Sequence, residues 1–481
     1  MASLLLACPP PAVGADTDGW PVRVIRRVFP DMVPVDYTRD APPLTLPRVP
    51  HTPPRVLPVG EDADWPPPGA LTLDSAVALA VRRSASLRTQ VAEVEGRIGR
   101  IHQSASGTQP RVELRYTATR YQQPLGVPFS TSIISGSVRI QATPFTLSQF
   151  EDRLQLTQLI SDGGRTRMLV MADVAAARTA LASLLQAVLA VQHEVRLAYI
   201  GVLEARAQVA VAEQTLAAAE EHLRMARTQC DAGVVARADV TYSTTPLTRA
   251  RLALHNARTL VDVRAARLLS AMGVDPGGHL PSLVGAALDN PQGDLLTLRG
   301  TAARERPDLE ARRQEKAAAL AALDAVRRSR SVNVQGTAGF HQVGYQTREI
   351  IPAHSGWEAA LQVSYPMLDG GLVSAQIEEA GARARAASER EDDLARNVDE
   401  QVVTTWMALQ QSCERLALAD AEVTQAATAY EVAQGQYQAG VGTNLQVLDA
   451  QVDLARSRAD AVAARYAVER ARADLLLAVG H

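Results

Sequence analysis

The sequence predicts an α+β membrane protein. Long coiled-coil helices join a transmembrane β-barrel that several protomers share, with four strands per chain and an internal two-fold repeat. Three observations predict this. A helix expected over residues 165–230 carries an unbroken heptad seam; the same rod recurs 207 positions later; and each rod is preceded by two stretches of about ten residues with strand-like alternation. A period of 3.5 sets a left-handed coiled-coil seam, whereas a period of two sets a strand with unlike faces.

At the N-terminus, residues 1–7 read as a signal-peptide remnant, and Leu5-Leu6-Ala7-Cys8 reads as a lipobox with Cys8 as the acylation site. The alternative is a chance Leu-Ala-Cys, since only seven residues precede Cys8 and none is basic. A single acyl chain anchors weakly, so lipid would assist another membrane element. Residues 8–70 form a Pro-rich extension; Cys8–Gly69 holds 16 of the 27 prolines. Proline at that density excludes helix and central strand. Trp20, Phe29, Tyr37 and Trp65 suggest a segment laid along something larger.

The first repeat covers 71–276. Its first helix is expected from Leu71 to about Ser106, with Thr72 or Asp74 as cap. Val112, Leu114, Tyr116 and Ala118 then alternate with Glu113, Arg115, Thr117 and Thr119 as a strand. A loop of about thirty residues follows, with an extra hairpin expected at Ser137–Ala142, and a second strand from about Phe150 to Leu159. Asp162-Gly163-Gly164 opens the rod. Its seam is Val188, Val191, Val195, Ala198, Val202, Ala205, Val209, Ala212, Leu216, Ala219, Leu223, Ala226 and Cys230. A glycine turn at Asp231–Val235 breaks the rod, and a helix returns from Asp239 to Met272.

A linker at 277–295 leads to the second repeat, 296–481. It has a helix from Leu298 to about Ser329, a strand with Val332, Val334, Ala338 and Phe340 on one face, and another with Trp357, Ala359, Leu361, Val363 and Tyr365. The Asp-Gly-Gly junction recurs at Asp369-Gly370-Gly371 and the Ala-Gly-Val turn at Ala439-Gly440-Val441, with a return helix from Asn444 to Val479. The seam keeps phase from Ala395 to Tyr437, with Thr405 and Ser412 as polar members.

Strands of this length, apolar on one face, suit a bilayer. Residues 111–160 and 331–368 hold nine of the 19 aromatics, as interfacial girdles require. The other reading, hairpins on a soluble core, finds no globular remainder to supply that core. Four strands cannot close, and a bilayer tolerates no open edge, so at least two chains must pool strands to reach eight.

Net charge is −3, which leaves no footprint for nucleic acid. No uncharged apolar run reaches 18 residues, so no transmembrane helix is expected. Three cysteines make no disulfide framework. The nine histidines form no metal-spaced cluster, and no motif for catalysis, a metal or a cofactor stands out. Gly440-Val441-Gly442 lacks the strand-helix context of a phosphate loop, and Glu220-Glu221-His222 reads as a solvated face.

The chain resembles the TolC-type outer membrane efflux proteins over residues 71–481. The motifs that carry the resemblance are Pro366–Gly371 with its degenerate twin Leu159–Gly164, Tyr437–Val441, and Val447-Leu448-Asp449-Ala450. Lipobox and Pro-rich extension resemble the lipoprotein branch. The resemblance implies a homotrimer, hence a twelve-stranded barrel on a periplasmic α-helical barrel. It implies a periplasmic adaptor (a membrane fusion protein) at the hairpin tips, an inner-membrane pump of RND, MFS or ABC type, and outer membrane lipid around the strands. The gate residues it implies are Asp239, Tyr437 and Asp449, with Arg237 standing in for a family arginine where this chain has Asn444. Gly233, Val234, Gly440, Val441 and Gly442 are the implied adaptor contacts. Asp239 also reads as a helix N-cap, Tyr437 as the last seam residue, and the glycines as helix terminators. The implied function is a passive exit duct for drugs or other small toxic solutes. A type I protein secretion duct and a soluble periplasmic coiled-coil scaffold are the alternatives.

Overall fold

A computed structural model describes residues 69–123, 145–233, 236–285, 293–346 and 350–481. Cys8, the Pro-rich extension, the expected hairpin at Ser137–Ala142 and Val234 lie outside these residues. The elements of the first repeat are α1 (Leu73–Arg83), α2 (Ala85–Ala105), β1 (Arg111–Gln123), β2 (Phe145–Ser161), α3 (Arg165–Asp231) and α4 (Arg237–Ala271). Those of the second are α5 (Leu295–Glu305), α6 (Pro307–Arg327), β3 (Asn333–Gln346), β4 (Ile350–Ser364), α7 (Leu372–Gln438) and α8 (Asn444–Val479).

The duplication extends beyond the rods. From α1 to the start of β1, elements recur 222 residues later as α5 to β3; from α3 onward the offset is 207. The strand-to-strand connection is 18 residues longer in the first repeat (124–144 against 347–349), and differences in strand and junction length bring the net shift to 15. The sequence reading is corrected at the helix preceding each strand pair. Each is two helices broken at one residue, Ser84 and Arg306, both in extended conformation. In the second repeat the cause is Pro307, which drives the preceding residue out of the helical region. The Arg306 guanidinium is buried and donates to Gln401 Oε1 at 2.8 Å and Ala478 O at 3.3 Å. β2 is also longer than expected, since Phe145–Gln149 continue the pairing with β1.

The chain divides into two compact units. One contains Glu95–Arg178 and Arg313–Arg390 and carries the sheet. The strands pair antiparallel in the order β1-β2-β3-β4, with β1 and β4 at the edges. A row crosses all four strands as Leu114–Leu154–Phe340–Trp357, beside Val112–Leu156–Ala338–Ala359. Leu114 is 74% and Trp357 80% exposed, so the whole apolar face lies open. The other face carries Arg115, Arg153, Glu151 and Glu358, with Arg153 2.9 Å from Glu151 and 3.1 Å from Glu358.

Each strand-to-helix junction is an aspartate cap. Asp162 accepts from the Gly164 and Thr166 N–H groups at 2.9 and 2.6 Å; Asp369 accepts from Gly371 and Val373, both at 3.0 Å. Gly163 and Gly370 share a positive φ, +66° and +63°. Their surroundings differ: a Cβ on Gly163 would lie 2.1 Å from Ser331 Cβ, whereas Gly370 has open space. Alanine at Gly370 is therefore expected to cost the left-handed strain alone, about 1–2 kcal/mol. Alanine at Gly163 adds an overlap worth about 1–3 kcal/mol. Melting of the two purified variants in detergent should place Gly163→Ala below Gly370→Ala; equal melting points would contradict the geometry.

The other unit takes in residues up to Val94, Thr179–Arg312 and Glu391–His481. It holds two equivalent cores. Ala76, Ala80, Val195, Val202, Leu268 and Met272 form one; Leu298, Ala302, Val402, Leu409, Leu475 and Val479 are their counterparts in the other. The seam residues Val188, Val195, Val202, Ala219 and Ala226 are buried, as the heptad phase predicts. One flank of α3 meets α4 through Arg258–Glu213 (2.9 Å), and another meets α8 through Arg470–Glu204 (2.5 Å).

Against the expectation from sequence, one 18-residue window of α3 is apolar enough by length and composition to cross a membrane, with a mean hydropathy of 1.7. The seam of α3 takes apolar residues, and so do the flanks that meet α4 and α8; Leu185 and Leu189 are buried off the heptad positions.

Candidate functional site

The site is the pair of tips where α3 turns into α4 and α7 into α8. After α3, Gly233 at φ +78° donates to Cys230 O at 3.0 Å. The N-cap of α4 is Ala236, without a side-chain bond. Asp239, in the first turn of α4, is therefore not the N-cap that one reading of the sequence allowed. The second tip is closed by its own backbone. Val441 and Gly442 both donate to Gln436 O at 3.0 Å, and Gly442 has no room for a Cβ, which would lie 2.9 Å from Tyr437 N. Thr443 and Gln446 form a capping box, each side chain accepting from the other's backbone N–H at 3.3 and 2.9 Å. Val441 is 79% exposed at the turn.

A buried polar knot joins the tips. Asn444, the first residue of α8, donates from Nδ2 to Asp239 O at 3.2 Å and to Ser243 Oγ at 3.4 Å, both on α4. Asn444 Oδ1 lies 2.7 Å from Nε2 of His222 on α3. The His222 ring lies 5.6 Å from that of Tyr437 on α7. His222, Ser243, Tyr437 and Asn444 are all buried. One residue group from each of four helices thus meets in one place.

The expectation that His222 sits on a solvated face is corrected. Its neighbours Glu220 and Glu221 do face outward, reaching Arg251 and Arg224, but His222 is turned inward at 1% exposure. It lies one position before the seam residue Leu223, so the heptad alone did not mark it. The signal was an isolated histidine adjoining a seam, together with an asparagine at the first position of α8, where the first repeat has Arg237.

Of the sequence-predicted gate, the structure brings Asp239 and Tyr437 together. Burial first, and then the charge of Asp239, push the Tyr437 phenol above its ordinary value of 10. Its hydroxyl is buried without a partner among the described residues. Arg237 and Asp449 are exposed and outside the knot. Beside the second tip, Gln425, Thr428, Val432 and Gln436 of α7 and Gln446 of α8 line an open cleft of about 600 Å³. Among the described residues no group of histidine, cysteine and carboxylate side chains is arranged to hold a metal.

The sequence profile of the family "Outer membrane efflux protein" matches residues 76–274 and 298–481. The outer membrane efflux protein BepC of Brucella suis biovar 1 (strain 1330) is 26% identical over 412 residues, 85% of each chain. Among solved structures, CusC aligns with a TM-score of 0.74 at 16% identity, covering 85% of this chain and 92% of that one. The Neisseria gonorrhoeae MtrE outer membrane channel aligns at 0.71 and 18% identity, covering 85% and 88%.

Proposed function

The chain belongs to the outer membrane efflux protein family, and from that premise we propose that three copies form the outer membrane duct of a tripartite efflux pump. Each copy contributes four strands to a common twelve-stranded barrel, and the helices extend into the periplasm. A periplasmic adaptor docks on the tips at Gly233, Val234, Gly440, Val441 and Gly442, and an inner-membrane pump of RND, MFS or ABC type supplies the energy. Drugs or other small toxic solutes pass through; Cys8 carries an acyl anchor.

The observation that supports this reading is the sheet. The outer edges of β1 and β4 are unpaired among the described residues, and its apolar face lies exposed. In water both features are liabilities; in a bilayer, with β4 of one copy paired to β1 of the next, both are satisfied. Cysteines placed on β1 and β4, with Cys230 and Cys413 replaced by serine, test the arrangement. Oxidation in outer membranes should give covalent trimers, and a monomeric, lipid-indifferent protein would overturn the reading. A bulky side chain at Val441 should abolish capture of the adaptor without loss of the trimer.

At the tip, three copies of Asp239 and Asp449 would ring the lumen and favour cations. The doubly substituted Asp239→Ala/Asp449→Ala channel is expected to lose cation preference in planar bilayers. Unchanged selectivity would remove these residues from the gate.

A further inference from the structure

We propose that the His222–Asn444 hydrogen bond is a latch that positions the two tips of each protomer against each other and that protonation of His222 releases it, so that acid opens the tip. The proposal rests on the duct reading for its functional consequence, but its structural half stands on geometry.

The network fixes every proton. Asn444 spends its Nδ2 donors on Asp239 O and Ser243 Oγ, which orients the amide and leaves Oδ1 as the acceptor facing His222. The bonding hydrogen therefore sits on His222 Nε2. In the neutral ring Nδ1 is then a bare lone pair, and it is buried with no hydrogen-bond partner among the described residues. A second proton can go only there, where it would become a cationic N–H without an acceptor. Such a group is far more costly than the lone pair it replaces. The ring can regain solvation only by leaving the pocket, and leaving breaks the bond to Asn444 and with it the tie to α4.

The charged and titratable groups around the ring do not offset this. On α3, Glu220 and Glu221 are engaged by Arg251 and Arg224. On α4, Asp239 contributes its carbonyl to the knot, while its charge acts on Tyr437. α7 presents the Tyr437 ring, and α8 the neutral Asn444. Burial holds the imidazole below its ordinary 6.5, against a smaller upward pull from Asn444. A depressed histidine binds fewer protons folded than unfolded. The stability it carries is thus complete above pH 6.5 and drains as pH falls from 6.5 toward the lowered folded value.

Two readouts on the full chain test this. Spin labels at Ala232 and Ala439 report tip separation in detergent, and planar bilayers report opening. In the wild type, going from pH 7 to pH 5 should lengthen the label distance and raise open probability about fivefold, the factor for one ordinary hydrogen bond lost. His222→Gln keeps a donor for Asn444 but cannot be charged; it should stay closed at both pH values. Asn444→Leu should be open already at pH 7. The exchanged pair His222→Asn/Asn444→His should close again, which a purely structural loss would not allow; heat-resistant oligomers confirm folding of each variant. An acid response retained in His222→Gln, or a wild-type label distance unchanged between pH 7 and 5, overturns the latch. Labels that separate in acid in a protein that conducts at neither pH would uphold the latch and sink the duct reading instead.

Discussion

Leu154→Arg is expected to abolish assembly in the outer membrane. Leu154 stands in the middle of the row Leu114–Leu154–Phe340–Trp357, directly between Leu114 of β1 and Phe340 of β3. A guanidinium on the lipid face of a barrel costs about 2–4 kcal/mol near the midplane, and every copy in the barrel bears that cost. The control lies on the same strand: Gln155 points to the opposite face, opposite Glu113 and Gly339, and Gln155→Arg should assemble. Heat-resistant oligomer in outer membrane extracts reads both variants. If Leu154→Arg assembles and Gln155→Arg does not, the faces have been assigned the wrong way round and the barrel reading fails with them.

The second large effect is expected at Tyr199. Its ring is fully buried in the first helical core, and its one hydroxyl hydrogen is shared between Leu71 O (2.8 Å) and Val284 O (2.6 Å). These carbonyls belong to two short segments bridged to each other, Leu71 N–H to Ser282 O at 2.8 Å and Val284 N–H to Leu71 O at 3.1 Å. One phenol therefore pins the chain ahead of α1 to the segment that follows α4. Burial raises the phenol above its ordinary value, with the Val284 bond pulling the other way. Tyr199→Phe removes the donor and leaves Val284 O short, while Leu71 O keeps the Val284 N–H; the cost is about 1–3 kcal/mol. Tyr199→Ala adds a cavity and should cost about 3–5 kcal/mol. Melting in detergent should rank wild type above Tyr199→Phe above Tyr199→Ala; a phenylalanine variant as stable as the wild type would show that the hydroxyl holds nothing.

Much of this architecture was legible because its signals are local and periodic. The seams from Val188 to Cys230 and from Ala395 to Tyr437, and the alternation from Val112 to Thr119, repeat often enough that single polar intruders such as Thr405 do not hide them. The Asp-Gly-Gly junctions were readable for a different reason: two consecutive left-handed residues admit little but glycine, and the first aspartate is a cap. The breaks at Ser84 and Arg306 were less visible. Ser84 has no proline behind it, and only the docking of each short helix on its core shows where the helix bends.

At the tips, legibility failed for a reason of distance. Tyr437 and Asp239 were named from motif, but nothing along the chain links residue 222 to residue 444. His222 among glutamates looks solvated until α4, α7 and α8 close over it. Arg237 and Asp449 were carried over on motif as well, and the fold leaves them outside the knot.

The sequence by itself determined the repeat, the rods and the four amphipathic strands, since period and turn chemistry are properties of short segments. Only the tertiary structure decided which polar groups are hidden, because burial is settled by what arrives from elsewhere in the chain. His222, Asn444 and Tyr199 acquire their roles from neighbours dozens to hundreds of residues away, and desolvation by those neighbours turns ordinary side chains into fasteners.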